Sequence, residues 1–235
     1  MSDARPLLLL LPGLMCDAGV WRAQIAAFEG AYEVRIPDFF GLDSFDAMTE
    51  AALALADRPC ALAGHSMGGR VAMQAAAAAP ERVLRLALLD TAANLTASGE
   101  AERRMGLVKL GERQGIEAVV EAWLPPMLAS GQRANRALWD EVAAMLRRAG
   151  VETLRGQQNA LLNRGDGFAQ LDTVKVPTAF IVGAEDAWSP PQQHREMKAH
   201  VPGSALTVID GCGHMAPMEA PEAVNRALAQ WLETQ

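Results

Sequence analysis

Six short apolar runs punctuate the chain, at Leu7–Leu11, Tyr32–Ile36, Cys60–Gly64, Val83–Asp90, Thr178–Gly183 and Ala205–Asp210. Apolar runs of this length, without polar alternation, suit strands buried on both faces, and such strands belong to parallel sheets whose crossover helices cover them. Amphipathic stretches at Val20–Phe28, Ser44–Ala56, Met67–Ala79, Pro191–Ala199 and Pro221–Trp231 supply those helices. The alternation predicts an α/β fold: a parallel sheet of about six strands with helices on both faces. It breaks once. From 94 to 170 the sequence is helical throughout and offers no strand, which predicts a helical lid (94–170) inserted into a core made of 1–93 and 171–235. Of its apolar residues, Trp123, Leu124, Met127 and Trp139 are expected near a substrate pocket, while others pack the lid helices together.

At 235 residues, half of them hydrophobic, the chain has enough apolar material for one large core with an insertion. Its net charge of −7 comes from interspersed acidic and basic residues. Nothing resembles a basic stripe for nucleic acid or a polybasic segment for a membrane. The five leucines near the N-terminus have no basic leader or cleavage site and are too few to span a bilayer, so a cytoplasmic location is expected. Cys16, Cys60 and Cys212 are widely spaced and odd in number, as reduced thiols would be, and imply no metal site.

Gly64-His65-Ser66-Met67-Gly68 stands directly between an apolar strand and a helical stretch. A strand turning sharply into a helix holds its corner residue in a strained conformation, and glycines two positions either side let neighbouring backbone approach. The corner hydroxyl is then exposed beside the positive end of the helix, where unpaired N–H groups can hold an anion. A serine hydroxyl needs a base within reach and a carboxylate to orient that base. Of four histidines, His214 alone lies in a loop just past the last strand, at the carboxyl edge where such sheets do their chemistry. His65 is expected to serve the structure; His194 and His200 share a surface helix. Asp186, three residues beyond the Thr178–Gly183 strand, is the expected acid, with Asp90 its main competitor and Glu185 a near neighbour. The order Ser66, Asp186, His214 is that of one particular fold.

At this point the sequence resembles the α/β-hydrolase family over nearly its whole length. "LLLLLPGLMCDAGVW" is similar to the family's first catalytic segment, "GHSMGGRVAM" to its nucleophile elbow, and "GAEDAWSP" and "GCGHMAPMEAPE" to its acid and histidine loops. The resemblance implies oxyanion donors at the backbone N–H groups of Leu14 and Met67, no cofactor, and a small ester or related acyl compound as substrate. It departs from the family at Pro12, where many members have histidine, in the loop "DFFGLDSF", and in starting at what would be the family's third strand, so that no antiparallel edge hairpin is expected. Thioesterase, lactonase, C–C hydrolase or lyase chemistry would use nearly the same residues, and a triad-bearing receptor with little turnover is the alternative from another class. Arg70, four residues after Ser66, also resembles the elbow of the menaquinone-pathway lyase, where the arginine helps hold an anionic substrate. The reading favours a structural pair between Arg70 and a nearby carboxylate, and hence hydrolysis.

Overall fold

In the computed structural model, which describes residues 5–234, the six apolar runs form one sheet. Its strands are β1 (Leu7–Leu11), β2 (Glu33–Arg35), β3 (Cys60–His65), β4 (Val83–Leu89), β5 (Thr178–Gly183) and β6 (Ala205–Ile209). They lie in the order β2-β1-β3-β4-β5-β6, every neighbouring pair parallel. No antiparallel hairpin occurs among the described residues, as expected. The ends of the expected core, residues 1–4 and 235, lie outside them.

β1, β3 and β5 are buried along their whole length, which accounts for the unbroken apolar character of their sequences. β2 is shorter than its apolar run suggests, because it is an edge strand and Pro37, two residues past its end, has no N–H to donate. Glu33 and Arg35 instead join Asp57 and Arg58 in an exposed ion network, which discourages further strands from adding there. β4 stops one residue early, at Leu89, since Asp90 turns to a positive φ of 46°.

The core helices are α1 (Arg22–Phe28), α2 (Phe45–Ala54), α3 (Met67–Ala78) and, after the insertion, α8 (Pro191–His200), α9 (Ala216–Glu219) and α10 (Pro221–Glu233). Ser44 caps α2 through a bond from the Ala47 N–H (3.2 Å). The stretch from 94 to 170 holds α4 (Glu100–Gln114), α5 (Ile116–Trp123), α6 (Arg136–Leu162) and α7 (Gly167–Leu171). The first three pack on one another; Gly111 on α4 lets Val119 of α5 and Val151 of α6 approach. α6 is broken at Gly150, whose φ of 71° is not helical. α7, by contrast, packs on α3 and α8, with its Gly167 N–H bonded to the Ala93 carbonyl (3.0 Å), so the end of the expected insertion lies against the core.

The pairing register brings the carboxyl ends of β1, β3, β4 and β5 to one edge. A Cβ on Gly64 would overlap the Gly68 carbonyl and the Gly69 Cα, backbone that cannot shift cheaply. Gly64→Ala is therefore expected to cost about 3 kcal/mol. Gly106→Ala, in the exposed middle of α4 with nothing within 4 Å of the new methyl, should stabilise by about 0.8 kcal/mol. Urea unfolding midpoints moving in opposite directions for the same chemical change would bear this out.

Candidate active site

Ser66 occupies the N-cap of α3 at φ 54° and ψ −116°, yet its side chain makes no capping bond. An N-cap serine ordinarily satisfies an N–H of the first helical turn; here the hydroxyl turns away and lies 2.8 Å from His214 Nε2. The strained corner is held by the Ser66 N–H donating to the Leu89 carbonyl (2.8 Å) and by Thr91 Oγ1 donating to the Ser66 carbonyl (2.7 Å). The N–H groups of Leu14 and Met67 donate to no partner among the described residues, and both residues line the same cavity as Ser66.

His214 is buried, and its Nδ1 lies 2.9 Å from each oxygen of Asp186. Asp186 also accepts from the N–H groups of Trp188 (2.8 Å) and Ser189 (2.9 Å). Burial works to raise its pKa, but the facing imidazole and these donors outweigh burial and hold it below the ordinary carboxylate range. Asp90, the competing acid, is spent elsewhere: Oδ1 accepts from Gly183 N–H (3.0 Å) and Oδ2 from Ala216 N–H (3.1 Å). Burial, reinforced by the charge of Asp186, pushes Asp90 up. Glu185 points outward to Ser130, whose N–H and hydroxyl bond its Oε2.

His65 lies under the site. Burial, with His214 beside it, pulls its pKa down to about 3, so the neutral ring donates through Nε2 to the His214 carbonyl (2.8 Å). Its 3.8 Å approach to Asp90 is therefore no ion pair. His194 is buried rather than on a surface face; it accepts from the Thr91 N–H (3.2 Å).

The cavity above Ser66 measures about 520 Å³. Trp123 and Met127 line it, joined by Trp188, which is 44% exposed and meets Trp123 edge to face at 6.5 Å. Leu124 and Trp139 do not line it. Leu124, capping the end of α5, is turned wholly into the core, and Trp139 packs partly buried against that core. Arg70 also departs from expectation: it lines the cavity and has no carboxylate partner among the described residues. Glu100, the nearby candidate, is saturated by Arg104 Nε (2.7 Å), by Arg164 through Nη1 (2.6 Å) and Nη2 (2.7 Å), and by the Ala97 N–H (3.0 Å). Arg70 is left one bond, to the Asn94 carbonyl (2.8 Å), which Arg164 shares (2.9 Å). Burial and the neighbouring Arg164 pull the Arg70 pKa down to about 9.

Two further residues hold the loops of the site in place. Gln157, on α6, receives the Met15 N–H (2.7 Å) and donates to the Phe39 carbonyl (3.0 Å), fixing the loop that carries Leu14. Glu219 accepts N–H groups on both sides of His214. Gln157 carries no local sequence mark, its partners being backbone groups distant in the chain; Glu219 lies within the segment GCGHMAPMEAPE, but bonds to backbone N–H groups leave no residue-type signal of its part there. Among the described residues no helix is long and apolar enough to cross a membrane, and no cluster of metal ligands occurs.

Residues 8–227 match the Alpha/beta hydrolase family. The chain is 27% identical to the pimeloyl-[acyl-carrier protein] methyl ester esterase of Neisseria meningitidis, over 80% of this chain and 75% of the relative. It is 28% identical to the (E)-2-((N-methylformamido)methylene)succinate hydrolase of Acinetobacter baylyi, over 97% and 90%. Its structure superposes on a malate-bound thermophilic esterase from Thermogutta terrifontis with a TM-score of 0.88 at 27% identity, covering 97% of this chain and 90% of that one.

Labelling by a fluorophosphonate, which requires a base-activated serine, reads this geometry directly. Asp186→Asn, favouring the wrong imidazole tautomer, is expected to slow labelling by about 10⁴-fold, and Asp90→Asn far less. The reverse ranking would move the acid to the end of β4.

Proposed function

The chain belongs to the α/β-hydrolase family, a family of hydrolases and esterases, and from that premise we propose that it hydrolyses carboxylic esters through an acyl–serine intermediate. The observation that carries this is the unbroken row from Ser66 Oγ through the His214 ring to Asp186, opening on a cavity. His214 Nε2 takes the Ser66 proton as Oγ attacks the ester carbonyl, while Asp186 accepts the Nδ1–H and stabilises the imidazolium. The oxyanion forms against the Leu14 and Met67 N–H groups, which are unpartnered among the described residues and so ready without reorganisation. His214 then protonates the departing alcohol, and water, deprotonated by the same ring, releases the acid and frees Ser66. The helical insertion acts as a lid, supplying the apolar wall at Trp123 and Met127.

Arg70 narrows the substrate to esters that carry a carboxylate. A guanidinium has five N–H donors, and here four have no protein partner among the described residues. With Arg103, Arg104 and Arg164 beside Arg70 and Glu100 the one carboxylate lining the cavity, the wall carries a surplus of three positive charges. An anionic substrate group would supply the missing counter-charge. The succinate hydrolase relative is named for a substrate of that kind. A cofactor-free lyase acting on an anionic substrate is the second reading this same arginine favours; it would form no acyl-enzyme.

Three outcomes follow. Ser66→Ala should lose ester turnover by about 10⁴-fold or more while folding normally, and mass spectrometry of the wild type under turnover should detect an acyl adduct on Ser66. A lyase would give product without the adduct. Methyl hydrogen glutarate should outperform methyl pentanoate, its uncharged equivalent in length, and Arg70→Met should shrink that kcat/KM ratio by roughly 10- to 100-fold. If both esters fall alike with a lowered unfolding midpoint, Arg70 is a structural group. Lengthening the neutral acyl chain from acetate should raise kcat/KM by about fourfold per buried methylene; a flat series would remove Trp123 and Met127 from the substrate's path.

A further inference from the structure

Nothing in the steps above uses Glu219, although its carboxylate is buried 90 residues in sequence from one of its partners. Its Oε1 accepts from the N–H groups of Gly213 (3.1 Å) and Met215 (3.0 Å), and its Oε2 from that of Ala129 (2.7 Å). The N–H between them, that of His214, donates to the Met127 carbonyl (2.8 Å). All three successive N–H groups of the histidine loop are thus held by this carboxylate and by the segment 127–129, where the helical insertion meets the core. Gly213 shows how tightly: a Cβ there would lie 2.5 Å from Ala129 N, 2.7 Å from the Met127 carbonyl oxygen and 2.9 Å from Glu219 Oε1. Every bond to Glu219 is one it accepts.

We propose that Glu219 is a positioning residue for the site: by clamping residues 213 and 215 to Ala129 it fixes the His214 ring between Ser66 and Asp186 and ties it to the neck of the insertion. Asp186 bonds one ring nitrogen but cannot set where the ring's backbone lies. Glu219 does so from below, helped by His65 at the His214 carbonyl. Burial raises its pKa above the ordinary carboxylate value, and the three N–H groups and the nearby His214 pull against that rise. The claim rests on the hydrolytic reading only for its kinetic test.

Two variants break the clamp from opposite sides. Glu219→Gln keeps the shape but turns an amide NH₂ toward N–H donors. Ala129→Pro removes one donor from backbone that already suits proline, with Ala129 at φ −54°, ψ 151° and the preceding Leu128 at φ −98°, ψ 144°. Since a displacement of about 1 Å can cost about 10²-fold, Glu219→Gln should lower kcat and the rate of fluorophosphonate labelling to that extent, with KM within about twofold. Ala129→Pro should move both in the same direction by roughly tenfold. A downfield proton resonance of the His214 Nδ1–H is expected in the wild type and should broaden or vanish in both variants. A merely structural role would lower the unfolding temperature and leave kcat, labelling and that resonance intact in the folded protein; this result overturns the proposal. Should Glu219→Gln not fold, Ala129→Pro decides alone. Should the wild type hydrolyse no ester, the resonance and the labelling still decide, so failure of the clamp and failure of the hydrolase reading are seen separately.

Discussion

The strained corner at Ser66 is the constraint around which the carboxyl edge of the sheet is arranged. A serine at a helix N-cap would normally relax into its own first turn; this one is held at φ 54° by bonds to Leu89 and Thr91 from the next strand's end. That refusal has two effects at once. The hydroxyl is free to meet His214, and the first N–H of α3 stays unpaired among the described residues. Strain of this kind costs on the order of 1–3 kcal/mol and persists only where the surroundings over-determine it. Gly64, pressed on the backbone of Gly68 and Gly69, is part of that over-determination.

Three buried carboxylates surround one imidazole, and backbone N–H groups give each a different task. Asp186 keeps its charge facing the ring. Asp90 bridges the end of β5 to the start of α9, and the charge of Asp186 adds to burial in pushing it up. Glu219 is spent on the loop backbone. Without their N–H partners, three carboxylates so close could not coexist in a dry interior. Asp186 rather than Asp90 faces the ring, for its two backbone donors share Oδ1 and leave Oδ2 to Nδ1, whereas Asp90 has a backbone donor on each oxygen.

The strands, their order along the chain and the break at the insertion were legible because burial on both faces leaves an unbroken apolar mark, and a strand–turn–helix corner leaves a glycine mark. Ser66, Asp186 and His214, which the structure brings together, each follow a strand whose end is visible in the sequence. What stayed hidden lacks any local period. Gln157 and Glu219 look like ordinary helix residues until partners 142 and 90 residues away are known. Apolar periodicity could not separate Trp123 and Met127, on the cavity wall, from Leu124 and Trp139, which pack elsewhere, since all four are equally suited to burial. Arg70 was expected to find a carboxylate, and the one at hand had been consumed by Arg104 and Arg164.

The attachments of the insertion carry one more consequence. Gln157 fastens it to the loop bearing Leu14, and Ala129 fastens it to the loop bearing His214. On the proposed function, raising the insertion as a hinged cover would pull on both sides of the reacting carbonyl and disarm the chemistry. Passage in and out then falls to side-chain rotation at the rim, where the half-exposed indole of Trp188 rests its edge against Trp123. On the proposed function, traffic through such a doorway depends on two aromatic rings parting and not on the slow swing of a domain.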